Sequence, residues 1–116
     1  MSGLTTHVLD IYTGVPAQGV KLQLWKVASS SSDEALSLLA ETVTNQQGRA
    51  ELAPTLEVAE YVIYFFVGDY FKPMLNSDSH GFLTKVPVRF FVADASQHYH
   101  VPLVTSPWAY STYRGS

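Results

Sequence analysis

Cysteine is absent from the 116 residues. That excludes a disulfide framework and thiolate chemistry, and it limits any zinc site to histidine and carboxylate ligands. Charge is scarce too: Lys, Arg, Asp and Glu make up 15 % of the chain, against roughly a quarter in average soluble domains. The formal net charge of −3 gives no long-range attraction for nucleic acid or an acidic membrane. No apolar run is long enough to cross a bilayer. The opening residues, Met1 to Thr6, have neither the basic head nor the apolar core of a signal segment, so a cytoplasmic protein is expected. What is abundant is apolar: 47 % hydrophobic and 13 % aromatic residues. A small chain this poor in charge leaves apolar surface uncovered, which favours a homo-oligomer.

Strand signals dominate. Residues 6–12 alternate, with His7, Leu9 and Ile11 on one face and Val8 on the other. Residues 13–17 form a turn cluster. Val20, Leu22 and Leu24 then alternate with Lys21, Gln23 and Trp25 as a half-buried second strand. Residues 29–33 read as a polar loop. A third strand over residues 38–44 ends at the turn Asn45-Gln46-Gln47-Gly48, which delivers Arg49 to a short fourth strand. Residues 61–67 are β-branched and aromatic and are bounded by Gly68, the pattern of a fully buried strand. Asp69 is a candidate cap for one or two helical turns through Tyr70 and Phe71, kept short by Pro73. After a loop at residues 76–81 come strands at 86–92, 98–105 and 109–113, the last two separated by a bend at Ser106-Pro107. About eight short strands at near-regular spacing predict an all-β fold: an antiparallel two-sheet sandwich with one short helix, as a single domain over residues 1–116.

Parity decides which side chains can meet. His7 shares a face with Leu9; His100 shares one with Pro102 and Val104, with His98 on the same side near the strand start; Ser111 and Tyr113 fall together. If these faces line one groove, with Arg49 at its mouth, the set suits hydrolysis of a polar, carbonyl-rich substrate. Imidazole near its ordinary pKa takes a proton from water, and guanidinium holds an anionic oxygen. Taken singly, each residue has a plainer reading: a lone histidine is more often structural or solvated, His80 in its polar loop especially, and an arginine after a glycine turn is usually a surface charge. Two histidines lack a third metal ligand of defined position. Ser116 has no Ser-His-Asp arrangement with an elbow turn around it. Asp10 and Asp94, near strand ends, are expected to shape the backbone. Tyr113-Arg114-Gly115-Ser116, directly after a strand, is expected to be packed and used, the plain alternative being a short solvated tail.

Three segments carry a resemblance. They are Leu4-Thr5-Thr6-His7-Val8-Leu9-Asp10 with Gly14-Val15-Pro16-Ala17; Thr44-Asn45-Gln46-Gln47-Gly48-Arg49; and His98-Tyr99-His100-Val101-Pro102-Leu103 running through Ser106-Pro107 to Tyr113-Arg114-Gly115-Ser116. In these the chain resembles the 5-hydroxyisourate hydrolases of the transthyretin-related family, over nearly its whole length, and Gly68-Asp69-Tyr70-Phe71 occupies the place of that family's short helix. The resemblance implies a transthyretin-like sandwich assembled as a homotetramer, with dimers joined by edge strands and stacked around a central channel. It implies hydrolysis of 5-hydroxyisourate to 2-oxo-4-hydroxy-4-carboxy-5-ureidoimidazoline, on the route from urate to allantoin, with no metal or organic cofactor. Carried over by residue, His7, Arg49, His100 and Ser116 match the catalytic set, and Tyr113, Arg114 and Gly115 match the segment that closes the pocket, with His7 and Arg49 also contacting substrate. Which histidine is the base stays open. The rival from another class is a transthyretin-like carrier of a hydrophobic ligand such as thyroid hormone, whose channel calls for apolar and small hydroxyl side chains instead.

Overall fold

The computed structural model describes residues 3–29, 34–76 and 81–115. In chain order the elements are β1 (Gly3–Asp10), β2 (Val15–Pro16), β3 (Lys21–Ser29), β4 (Glu34–Val43), β5 (Arg49–Ala53), β6 (Ala59–Phe65), α1 (Val67–Phe71), β7 (Val86–Val92), β8 (His98–Thr105) and β9 (Tyr110–Thr112). One sheet runs β2-β1-β8-β9, with β5 also paired to β1; the other runs β4-β3-β6-β7. The two-sheet, mostly β architecture with one short helix is the expected one.

One pairing departs from the antiparallel expectation. β1 and β8 are parallel, in a register that sets Thr5 against His100 and His7 against Pro102. A parallel neighbour needs a long connection, and here the entire second sheet lies between these two strands along the chain. Alternation within each strand is silent about the direction of its neighbour.

The inner faces meet in one core. Leu4 and Val8 of β1 and Tyr99, Val101 and Leu103 of β8 pack against Leu22, Leu24, Tyr61, Ile63, Phe65, Val86 and Val92 of the second sheet. Each such side chain, taken fully out of water, contributes about 1.5–3 kcal/mol before entropy is charged against it. This burial fixes the orientation of the first sheet. With Leu4, Thr6, Val8 and Asp10 inward, the half-buried Thr5, His7 and Leu9 must face out, because a slip of one residue would exchange the two sets.

Local polar groups terminate the strands. The Asp10 carboxylate is fully buried and accepts hydrogen bonds from the main chain of Tyr12 (2.8 Å) and Thr13 (3.0 Å), the Thr13 hydroxyl (2.6 Å) and the Tyr70 hydroxyl (2.9 Å). Burial, then the Asp10 hydrogen bond, pushes the Tyr70 phenol up to about 12. Asp94 likewise accepts from the amide and hydroxyl of Ser96. Both aspartates shape backbone turns, as expected.

Several boundaries differ from the sequence reading: β1 covers Gly3–Asp10 and not 6–12, β4 starts at Glu34 and not at 38, and β9 is Tyr110–Thr112 within the expected 109–113. Val67 opens α1 instead of closing the strand before it, and Phe66 holds the N-cap position, so Asp69 lies within the first turn and does not cap it. There its charge still complements the helix N-terminus. Pro73 sits in a 3-10 turn, Lys72–Met74, that follows α1 directly. Val15–Pro16, in the expected turn cluster, pairs briefly with Leu9 and Asp10. Residues 30–33 of the polar loop at 29–33, and residues 77–80 of the loop at 76–81 with His80 among them, lie outside the described residues. Among the described residues no helix is long and apolar enough to cross a membrane.

Candidate active site

The outward face of the first sheet collects the polar residues. β5 pairs with β1 so that Arg49 lies opposite His7 and Glu51 opposite Thr5. On the other edge of β1, parallel β8 sets His100 opposite Thr5 and Pro102 opposite His7. Side chains of paired residues point to the same side of a sheet. Two rows therefore cross it side by side: Glu51, Thr5 and His100, then Arg49, His7 and Pro102. Parity alone could not make β1 and β8 neighbours; the ladder does.

The turn before Arg49 is built for its place. The Asn45 side-chain oxygen accepts from the amides of Gln47 (2.9 Å) and Arg49 (3.0 Å). Gly48 has a φ of +74°, and its carbonyl accepts from the Val8 amide at 2.8 Å. A Cβ there would lie 2.5 Å from the Val8 carbonyl oxygen. Gly48→Ala is therefore expected to lower stability by about 2 kcal/mol or more, through the left-handed backbone and the clash together. Urea unfolding of the variant measures this; an unchanged midpoint would mean that the turn tolerates a side chain.

His100 is half-buried. Burial pushes its imidazole below the ordinary 6.5, and the charges of Arg49, His7 and His98 push the same way, against a smaller opposing contribution from a hydrogen bond with the Thr5 backbone. The ring is neutral at neutral pH, the form that accepts a proton. Its Nδ1 lies 2.9 Å from the Thr5 hydroxyl.

Gly115 lies against this ring. Its amide donates to the His100 carbonyl at 2.7 Å, as an isolated antiparallel bridge beyond the end of β9. Between that bridge and the last β9 pair, Leu103 with Thr112, β8 contributes Val101 and Pro102, and Pro102 has no N–H to donate. The Thr112 hydroxyl takes up the Pro102 carbonyl at 2.7 Å. A Cβ on Gly115 would come within 2.6 Å of His100 Cδ2, so the close approach requires glycine.

The other expected site residues fall differently. The Arg114 guanidinium stacks over the Tyr99 ring at 4.1 Å and donates to the Gln97 side chain at 2.8 Å. Tyr99 points to the opposite side of β8 from the imidazoles, so Arg114 anchors the segment there. Tyr113 is exposed. Ser116 lies outside the described residues. The structure thus brings together His7, Arg49, His100 and Gly115. It adds Thr5, which sequence reasoning missed although its two-residue spacing from His7 put it on the same face. A depression of about 240 Å³, bordered by Thr5, Asn45, Arg49 and Glu51, opens beside these rows. A larger one, about 480 Å³, is lined by Phe66, Asp69, Lys72, Leu83 and Lys85 and shares no residue with them. Among the described residues no three His, Asp or Glu side chains gather in an arrangement that could hold a metal ion. What the rows offer is a neutral base, a second imidazole and a cation around open space.

Known proteins are similar to this chain in sequence and fold. The chain is 47 % identical to a 5-hydroxyisourate hydrolase of Deinococcus radiodurans, over 98 % of its own length and 96 % of the relative's. Its structure superposes on the 5-hydroxyisourate hydrolase of Klebsiella pneumoniae with a TM-score of 0.78 at 35 % identity, covering all of both chains. It also matches an (S)-allantoin synthase, TM-score 0.83 and 36 % identity, spanning 99 % of this chain but 44 % of that one. Sea bream transthyretin in complex with thyroxine matches with a TM-score of 0.81 at 25 % identity, over 97 % and 94 % of the two chains. Residues 4–115 match the model of the HIUase/Transthyretin family. With that match spanning both strands of the imidazole face and the segment packed on His100, the chain belongs to the HIUase/Transthyretin family.

Proposed function

We infer that the chain hydrolyses 5-hydroxyisourate, adding water to a ring carbonyl and opening the six-membered ring to 2-oxo-4-hydroxy-4-carboxy-5-ureidoimidazoline. The observation that carries this reading is the placement of His7, Arg49 and a neutral, half-buried His100 on one outward face. Hydrolase relatives over the full length support it. In this reading His100, with His7 beside it, takes the proton from water as the oxygen attacks. Arg49 holds the substrate's oxygens and stabilises the oxyanion that forms. Gly115 keeps the His100 ring in place, and Ser116 follows it in the chain as a further hydrogen-bonding group.

A transthyretin-like carrier shares the scaffold, as the thyroxine-bound neighbour makes plain, and function lives in the site. Two imidazoles and a guanidinium are a poor lining for a hydrophobic hormone and a good one for driving water onto a polar ring. The assembly consistent with this site is a homotetramer. β7 and β9 each end a sheet, Phe91 and Tyr110 on them are exposed, and unpaired edges of this kind are covered by pairing with a second copy. Stacked dimers then turn the outward faces into one enclosed channel in a cytoplasmic enzyme.

The test is to mix the chain with urate and a urate oxidase and follow the ultraviolet absorbance of the transient product. Decay faster than the spontaneous rate is expected; decay at the spontaneous rate, with thyroxine bound instead, would establish the carrier. The pH dependence follows from His100. A base whose pKa is lowered stays deprotonated to lower pH, so the acid limb of kcat/KM should fall below the ordinary imidazole value of 6.5. A limb at or above that value in an initial-rate profile would contradict the assignment of His100 as base.

A further inference from the structure

One hydroxyl joins two histidines. Thr5 Oγ1 lies 2.9 Å from Nδ1 of His100 and 2.9 Å from Nε2 of His98. A hydroxyl has a single proton, so it can donate to only one of the two rings, and with that proton in the link it accepts from the other. The tautomers of the two neutral rings are therefore linked. If His98 donates Nε2–H to Thr5, Thr5 donates to His100 Nδ1, and the His100 proton sits on Nε2. If His100 donates Nδ1–H to Thr5, Thr5 donates to His98 Nε2, and His100 Nε2 has a free lone pair. Only the second arrangement leaves His100 a base toward substrate, since Thr5 occupies its other nitrogen.

We propose that Thr5 and His98 are positioning residues that set the tautomer of His100 and connect it to bulk water by a proton relay. This rests on the hydrolase reading above. Water adds to the carbonyl and gives a proton to His100 Nε2. The Nδ1 proton of His100 moves to Thr5 Oγ1 as the Thr5 proton moves to His98 Nε2. His98, which is exposed, releases its Nδ1 proton to solvent. His100 is now protonated at Nε2, the form that hands a proton to the ring nitrogen when the C–N bond breaks. The same three groups then run in reverse, His98 taking a proton from water, and the starting tautomers return. No oxidant or cofactor enters the balance.

The charged and titratable groups that face His100 are consistent with an exit in this direction. Arg49 from β5 and His7 from β1 are cations or potential cations on its substrate side, and both disfavour an imidazolium at His100. Glu51 faces the relay from β5, opposite Thr5. Arg114 donates weakly to the His98 carbonyl, at 3.5 Å, while its charge stacks over Tyr99. A proton moved from half-buried His100 to exposed His98 leaves the crowded positive cluster for water.

Thr5→Val removes the hydroxyl while keeping the shape and strand preference of the side chain; Thr5→Ser restores the hydroxyl. With urate and urate oxidase supplying substrate to the full chain, Thr5→Val is expected to lose about tenfold in kcat, the equivalent of one hydrogen bond. KM should be nearly unchanged and the acid limb of the pH profile should move, while Thr5→Ser recovers most of the rate. His98→Gln should slow turnover most in dilute buffer and be relieved by added imidazole. Nitrogen-15 shifts should report His100 mainly as the Nδ1–H tautomer in the unaltered chain and as a mixture in Thr5→Val. A folded Thr5→Val chain with unaltered kcat, pH limb and tautomer would overturn the relay alone. An unaltered chain with no activity would overturn the hydrolase reading and the relay with it.

Discussion

His100→Ala is expected to cut kcat for 5-hydroxyisourate about 10²–10⁴-fold, the range that one positioned general base supplies. The fold should survive. His100 sits on the outward face and is not among the side chains of the sandwich core, which is built by its strand neighbours Tyr99, Val101 and Leu103. The loss should fall on kcat and kcat/KM together, because proton removal is needed in the transition state and not for binding. Steady-state kinetics beside a circular dichroism spectrum separate this from unfolding. A folded variant with near-normal turnover would remove His100 from the chemistry.

Gly115→Ala should lose about 10²-fold in kcat, the order expected when a reacting group is displaced by about an ångström. The cause is a steric clash. The added methyl carbon would stand 2.6 Å from Cδ2 of the His100 ring, a distance that non-bonded carbons do not tolerate, and a tight 3.3 Å from Cγ. Either the ring swings, lengthening its hydrogen bond to Thr5, or the terminal segment lifts and breaks the 2.7 Å bond from the Gly115 amide to the His100 carbonyl. Both outcomes misplace Nε2. Global stability should change little, because the segment lies outside the core, so unchanged urea unfolding alongside slow turnover is the expected pair of results. Turnover within twofold of the unaltered chain would show that the segment does not hold the ring.

Much of this was legible in the sequence because strands alternate. The alternation of His7 and Leu9 against Val8 sets the first imidazole on the face opposite a core position, and His98 and His100 fall on one side of β8 in the same way. Asn45 and Gly48 announce the turn that presents Arg49, since only particular residues fit its geometry. What alternation does not encode is which strands lie side by side. β1 and β8 stand at opposite ends of the chain and run parallel, and their pairing follows from burying both apolar sides against one second sheet. Thr5 escaped notice for a related reason. A threonine in a strand is explained by strand preference alone, and its link to two imidazoles exists only after the pairing. Arg114 shows the reverse case: its contacts with the Tyr99 ring and the Gln97 side chain could not be read from spacing. Val67 was drawn into a strand by its β-branched neighbours, although the turn into α1 begins there.

The most direct measurement is to titrate the nitrogen-15-labelled chain with a stable cyclic ureide that cannot be opened and to follow its ring and guanidinium nitrogens. His7, His100 and the Arg49 side chain are expected to shift together and saturably, while the groups around Lys72 and Lys85 do not. Saturable shifts confined to the cavity beside α1, with His7, His100 and Arg49 unmoved, would contradict it.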